Sequence, residues 1–584
     1  MKFRIIYLLL FFCFSAAAQQ NNKVVITNSL SGEPLVNATV KNIADNRIFV
    51  TNNLGYVAFN ASLPITVQVS SVGYITSTVT IDMQTRILSL MPATNTMQEI
   101  IVSCNRTEQK RSEAPIAIST ISKQTIEDAK AQRLDFLLNK VSGVFMVSLG
   151  NEQHEMSIRQ PMTTKSLFLY MEDGIPIRTT GVYNHNALLE MNMASAKSIE
   201  IIKGPSSALY GAEAIGGVVN LITQPAPAIT EGRLSVQINN EGYKRSDAQV
   251  GTTFGKLGVI VSGYYADKKN GPIEYSDFNK AALTLRTDYQ IKDGTKWANT
   301  FSLVNYYSDM SGSIDSIKFA QRNYTSMQTF TYRKVYALRY KSMLSHDWNN
   351  NSNTNVALLF RNNSVLQNPS YFIGSTVNPT KFNGQINDNS FKSYLLCINH
   401  TQKLGWLKSK IIAGASVEFS PQSYDAKYIS INKDLALNKY VSYDAGAIDS
   451  FLSKYKTGIL NMAAYVDYEM TPVKNLRLVS AIRYDAFQYY FINNLPTSSS
   501  VKTASTINSF KKITPKLGAT YNYKSIGFYA NYSLGYVPPQ LTELYSSSRE
   551  APYLLPQTFT NYEVGGWALL FHNKIYADWS LYGL

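Results

Sequence analysis

From about residue 231 onward the chain is a succession of runs in which apolar and polar residues alternate, and that alternation restricts the folds open to it. In 457–470, Leu460, Met462, Ala464, Val466, Tyr468 and Met470 fall on one face, and Asn461, Ala463, Tyr465, Asp467 and Glu469 on the other, because successive side chains of a strand point to opposite faces. Residues 526–536 repeat the pattern: Ile526, Phe528, Ala530, Tyr532, Leu534 and Tyr536 alternate with Gly527, Tyr529, Asn531, Ser533 and Gly535. A soluble sheet with one buried face gives the same alternation, so the connections decide. About fifteen such strands run to residue 584. Short turns are expected at Lys256, Lys292-Asp293-Gly294, Asn349 to Asn351, Thr471-Pro472 and Lys524-Ser525, and long loops at about 312–330, 368–388, 429–456, 494–509 and 540–558. Short turns on one side and long loops on the other is the asymmetry of a transmembrane β-barrel. The first face would then meet lipid and the second the lumen.

Composition agrees. Only 16% of residues are charged, and the 39 tyrosines suit a membrane–water interface. Beyond the first residues no apolar run reaches the roughly 18 residues of a membrane-spanning helix. Residues 1–18 read as a secretory signal: Lys2 and Arg4, an apolar core Ile5 to Phe14, and Ala16-Ala17-Ala18 before the cut. Cys13 lies in that core without a lipobox, and Cys104 and Cys397 are too few for a disulfide framework. The net charge of +15 favours anionic ligands or lipopolysaccharide phosphates. Nucleic acid would match the same sign, but secretion and the absence of a nucleic-acid motif argue against it.

Three further regions precede the barrel. Residues 22–92 read as about seven short strands, a β-sandwich, with turns at Ser31-Gly32-Glu33-Pro34 and Asn52-Asn53-Leu54-Gly55. Residues 93–115 are a linker holding one β-prone island, Met97 to Ser103. Residues 116–225 read as α+β, with a helix over 125–139 capped by Thr125 and strands at 157–159, 167–170 and 199–202. Within it, Ile199-Glu200-Ile201-Ile202-Lys203-Gly204-Pro205, Ser207-Ala208-Leu209-Tyr210-Gly211 and Ala214-Ile215-Gly216-Gly217-Val218-Val219-Asn220 form a strand, a turn, one helical turn, a glycine reversal and a second strand.

That stretch closely resembles the end of the plug domain of TonB-dependent outer-membrane receptors, with its IEV-x-x-GP-x-SALYG-x-x-AIGGVINI-type signature. Ser157-Ile158-Arg159 and Asp173-Gly174-Ile175-Pro176-Ile177 match the family's IRG … DGVPI order, with Gln160 where glycine is usual. The phrases GEPLVNATV, TNNLGYVAF and SSVGYITS resemble the carboxypeptidase-regulatory-like domain that precedes Bacteroidetes members. The segment holds no histidine, so zinc-peptidase chemistry lacks its usual ligands. Met97 to Ser103 resembles the TonB box, here Glu99, Ile100, Ile101, Val102 and Ser103; the other reading is the last strand of the preceding domain. An extended box can add a strand to a partner sheet.

The resemblance implies a mainly β protein, a transmembrane β-barrel enclosing an α+β plug behind an N-terminal β-sandwich. It implies energised import, most simply of a ferric siderophore, with cobalamin, haem or an oligosaccharide as same-class alternatives and a passive porin or adhesin as a different class. A signalling receptor would need a further domain before residue 22. TonB with its ExbB–ExbD energy system, a small ligand and outer-membrane lipid or lipopolysaccharide are the implied partners, with no nucleic acid and no cofactor. The expected plug signature is Arg159, Asp173, Gly174, Glu200, Gly204, Pro205, Tyr210, Gly211, Gly216 and Gly217, with Arg159, Glu200 and Lys203 as charges that pair with the wall or, for Lys203, meet solvent. His154, Arg178, Tyr183, Asn184 and His185 fall in segments expected to form the plug apex, where they would touch ligand or serve as ordinary loop polar residues. Five scattered histidines and the lack of HExxH, Walker and GxSxG patterns argue against an enzyme. Receptors of this family close with about twenty-two strands, so about fifteen mark the chain as a fragment of a longer receptor.

Overall fold

The computed structural model describes residues 23–29, 31–59, 63–71, 74–91, 100–101, 109–182, 185–446, 450–496, 503–545, 553–571 and 575–584. The expected signal segment, Glu99, Val102, Ser103, Cys104, Tyr183 and Asn184 lie outside them. The chain divides into two units, Met1–Ser29 with Pro34–Pro92, and Leu30–Glu33 with Ala93–Leu584.

The first unit has seven strands in two sheets. Tyr56–Ala58, Lys23–Asn28 and Ile87–Leu90 make one, and Ile48–Val50, Thr39–Asn42, Ile65–Ser70 and Ser77–Ile81 the other. Both sheets feed one core, in which Val24, Ile26, Val40, Val67, Val69, Ile81 and Leu90 are buried. The alternation in Ile65–Ser70 explains why it pairs where it does: Val67 and Val69 point in, Thr66 and Gln68 out. The expected turn at 52–55 forms as an Asx turn, Asn52 Oδ1 accepting from the amides of Leu54 (3.0 Å) and Tyr56 (2.9 Å).

In the second unit a five-stranded sheet, in the order Ile118–Ser122, Ala196–Lys203, Gly217–Thr223, Phe168–Glu172 and Ile175–Pro176, carries the plug. The expected single helix over 125–139 is two. Ser122, not Thr125, is the cap, its hydroxyl accepting from the Thr125 amide at 3.2 Å. The first helix, Lys123–Ala129, stops where Lys130 turns left-handed (φ 42°), and the second runs Leu134–Leu138. The break resets the helical phase, so that Ile126, Leu134, Leu137 and Leu138 all reach one core with Met146, Met156 and Ile199.

Around the plug runs a seventeen-stranded antiparallel sheet from Glu231–Ile238 to Ile575–Gly583, in which each long strand pairs with the next long strand in sequence. Fifteen are long; Gly374–Ser375 and Lys439–Ala445 are short additions. Strands from one end of this wall to the other touch the plug, so the sheet curls around it. In Phe451–Val473, Ala463, Tyr465, Asp467 and Glu469 are buried while Met462, Ala464 and Val466 are exposed, as expected. The exposed face, which also carries Leu358, Tyr394, Phe419, Ile482, Leu517 and Phe528, is too apolar to be covered by water. No helix among the described residues is long and apolar enough to cross a membrane.

Three local expectations change. The turn placed at Thr471-Pro472 falls at 474–475, because Asn475 accepts the left-handed conformation (φ 72°) that the reversal needs. Much of the loops expected at 368–388 and 429–456 is strand: Lys381–Lys403, Lys410–Asp434 and Phe451–Val473 continue their ladders through polar residues, since backbone pairing does not require apolar side chains. Tyr536, expected on the lipid face, is fully buried instead. It packs against Phe487 and Leu541 in an inner cluster, where the strand end is drawn onto the plug by the bond from the Glu213 amide to its carbonyl (3.0 Å).

Candidate functional site

The signature stretch folds as the middle of the plug sheet. Ala196–Lys203 pairs antiparallel with Gly217–Thr223, and the Gly204 amide donates to Gly216 O at 2.8 Å, closing the loop between them. Gly216 is required by space: a Cβ there would lie 2.4 Å from Phe168 Cε1 and 2.5 Å from Ile158 O. Ser207–Tyr210 forms the single helical turn, with Gly211 (φ 86°) after it. Pro205 precedes this turn and Tyr210 ends it, buried with Leu209 and Ala214.

The plug's charged residues meet the wall in the lumen. Arg159, left-handed at φ 56°, gives both guanidinium nitrogens to Glu563 (2.8 and 2.5 Å) and lies 4.4 Å from the centre of the Tyr582 ring. Glu563 also accepts from Tyr529 and from Asn531. Asp173 accepts from the Thr223 amide (2.7 Å) and hydroxyl (2.8 Å) and from Lys341 (2.5 Å). Burial would raise its pKa, but Lys341 and Arg286 outweigh that and hold it below the usual carboxylate range. Gly174 (φ 78°) donates to Asn220 Oδ1 at 3.0 Å.

Glu200 lies in strand Ala196–Lys203, opposite Thr120 and Asn220 on its two neighbours and 2% exposed, a place inside the plug sheet rather than on its rim. Lys203 is half-buried; desolvation lowers its pKa, and Asp578 works against that.

Sequence reasoning missed most of the partners. Glu152 binds Lys280 (2.5 Å); Glu172 binds Arg339 (3.0 Å) and Ser302 (3.2 Å). Glu190 takes Arg178 (2.9 and 2.5 Å) and Asn363 (2.7 Å). Arg361 reaches the carbonyl of Pro176 (2.7 Å) and Glu418 (2.7 Å). Arg483 reaches Leu209 O (3.2 Å) beside its own partner Asp485. A signal existed: Lys280, Arg339, Arg361 and Arg483 are charges in the buried, lumen-facing phase of alternating strands.

The proposed apical residues divide. His154 is 1% exposed; its Nδ1 bonds to Glu152 O (2.9 Å), its amide is held by Asn186, and burial lowers its pKa to about 4. Arg178 is also buried, held by Glu190 and by His185 O (3.2 Å). Both side chains are packed inside the plug. His185 is partly exposed.

At the turn side, the segment entering the plug is fastened to the wall. Arg477 binds Glu113, Gln109 and Glu469. Asn522 donates to Ser112 O (2.8 Å), and Arg111 reaches Asp578 (3.2 Å). Of the expected box, Ile100–Ile101 pairs with Gln109–Lys110 in a short antiparallel ladder.

A plug fastened by buried ion pairs inside a wall of sequential antiparallel strands is the architecture of an outer-membrane receptor. Residues 110–218 match the family described as TonB-dependent Receptor Plug Domain, and residues 228–582 match TonB dependent receptor-like, beta-barrel. The chain belongs to the TonB-dependent receptor family, whose members are outer-membrane receptors and transporters and not enzymes. It is similar to the "Vitamin B12 transporter BtuB" of Vibrio vulnificus (strain CMCP6), 29% identical over 168 residues, which is 28% of this chain and 27% of that protein. Its fold is similar to that of the ferric citrate transporter FecA in the unliganded form (TM-score 0.68, 14% identity, 81% of this chain and 70% of that one). It is also similar to the ferripyoverdine receptor of the outer membrane of Pseudomonas aeruginosa (TM-score 0.68, 16% identity, 85% and 68%).

Proposed function

We propose that the protein imports a small ligand across the outer membrane by TonB-driven movement of its plug. The observation that carries this reading is the occupied lumen: with Arg159, Asp173, Glu172 and Glu152 bound to the wall, no ligand passes unless work displaces the plug. A passive porin or adhesin would need neither. In this reading Glu99 to Ser103 is the box gripped by TonB, powered through ExbB–ExbD, and the N-terminal unit, read as carboxypeptidase-regulatory-like, lies in the periplasm. Signal cleavage after residue 18 and contact with lipopolysaccharide belong to the same reading.

A ferric siderophore is the cargo we favour. Ferric-siderophore receptors among the proteins of similar fold support this reading. Cobalamin is the second reading, favoured by the named activity of the Vibrio relative.

Further strands in the complete receptor are part of the proposal. Among the described residues Glu231–Ile238 and Ile575–Gly583 each have a single neighbour, and the plug face of Phe145, Val147 and Leu149 is exposed. Lipid cannot satisfy open backbone edges.

Deleting Glu99 to Ser103 should abolish ferric-siderophore-dependent growth in iron-limited cells and leave siderophore binding to those cells nearly intact. Equal loss of binding and growth support would sink the box assignment. Growth on cobalamin but not on ferric siderophores would replace the favoured cargo with the second.

A further inference from the structure

The turn closing the signature stretch holds one buried acid that the ion pairs leave out. Glu213 is 2% exposed and stands at φ 71°, a conformation rarely adopted without cost by a residue of this kind. Its Oε1 accepts from the amide of Gly181 in the apical plug loop (3.0 Å). The same oxygen accepts from Nε2 of Gln540, in the loop that follows strand Ile526–Val537 (3.3 Å). The Leu541 amide ties those loops a second time, donating to Gly181 O (3.3 Å), and Ser166 donates to Gln540 Oε1 (3.3 Å). Three segments distant in sequence thus meet on one carboxyl group.

Among the described residues no cation forms an ion pair with Glu213. Arg178 of the apical loop belongs to Glu190, and Glu418 of strand Lys410–Asp434 to Arg361. Strand Leu476–Asn493 presents the Arg483–Asp485 pair and the phenol of Tyr489, which packs on Gly181. Strand Ile526–Val537 presents Tyr536; the loop beyond it presents Glu543, 3.7 Å from Lys165, and Tyr545. Burial pushes the Glu213 pKa up to about 7; the bonds from Gly181 and Gln540 oppose this, the charge of Glu418 adds to it and that of Arg178 opposes it.

We propose that Glu213 is a positioning residue that keeps the apical loop and the 538–545 loop docked on the plug while its carboxyl group is neutral and loosens them when it ionises. This deepens the transport reading, on which it rests only for the statement that these loops face the ligand. A neutral carboxyl still accepts both N–H groups through Oε1. An ionised one is a buried charge without a counter-ion, and water relieves it by displacing Gln540 or Gly181. Because docking raises the pKa, the docked state is favoured at acid pH, loses stability as pH rises from about 4.5 towards 7, and changes no further above that.

Hydrogen exchange on the full chain in membrane vesicles, without ligand, tests this. After correction for intrinsic exchange, protection of amides in 177–182 and 538–545 should fall at least about tenfold between pH 5 and pH 7 and level off above it. Glu213→Gln should keep those amides protected at every pH. Gln540→Ala should lower protection at every pH. In the unaltered receptor, an infrared band of a protonated buried carboxyl should titrate in step with the loss of protection. Protection independent of pH, a pH response that survives in Glu213→Gln, or no titrating carboxyl band would each overturn the proposal. No transport is measured, so a failure of the import reading leaves this result untouched.

Discussion

The plug meets its wall in two different ways. Towards strands 278–292, 332–349 and 557–570 it is held by desolvated charges: Glu152 on Lys280, Glu172 on Arg339, Arg159 on Glu563, all less than a tenth exposed. Towards strands 231–238 and 243–254 the contacts are polar and wetter. Arg233, 45% exposed, binds Glu127; Gln237 donates to Lys130 O (2.9 Å) and Asn239 to Gln132 (2.7 Å). A cavity lined by Lys123, Glu127, Arg233 and Gln249 lies between helix Lys123–Ala129 and this part of the wall. The difference is one of consequence. Breaking a buried pair strands a charge away from water, whereas water replaces either partner of an exposed pair.

Arg159→Ala should show the largest effect, destabilising plug docking by about 3–5 kcal/mol because Glu563 is left buried and unpaired. Protease susceptibility of the plug in membrane vesicles reads this, and Arg159→Ala with Glu563→Gln should recover part of the loss. If the single variant behaves like the parent, the buried side of the comparison is wrong.

His154 comes next. Burial keeps it neutral, with a pKa near 4 where about 6.5 is ordinary. The unfolded plug therefore binds more protons between those values, so the contribution is present above about 6.5 and is lost as pH falls towards 4. It amounts to roughly 3 kcal/mol. The melting temperature should drop on acidification, and less so in His154→Phe; an equal drop in both removes His154 from the account.

Smallest of all, Arg233→Ala should change docking by less than about 1 kcal/mol, and less still at high salt. A loss matching that of Arg159→Ala would erase the contrast between the two sides.

The wall was readable because its rule is local. Alternation in 457–470 assigns faces without knowledge of any neighbour, and those faces hold in the structure. Tyr536 shows the limit: its alternation pointed outward, but a bond from Glu213, distant in sequence, turns the strand end inward. Of the site, Arg159 and Asp173 could be named because they stand in motifs. Glu152, Glu172 and Glu190 stand in none; what makes them matter is a cation on another strand at the same depth, and register across the lumen is not written in either segment. The helix break at Lys130 was hidden for a related reason, since Ile126 and Leu134 satisfy one helical stripe until the core they share is known.

The central claim is that the plug must move against the wall. Pro115 and Gly518 are placed to test it: a Cβ on Gly518 would lie 2.8 Å from that of Pro115, so a small shift brings cysteines there to the roughly 3.5–4.5 Å of a disulfide. With Cys104 and Cys397 replaced by serine, Pro115→Cys combined with Gly518→Cys should, when oxidised, leave siderophore binding unchanged and stop ferric-siderophore-dependent growth, with reduction restoring it. Undiminished growth with the tether closed would contradict the account.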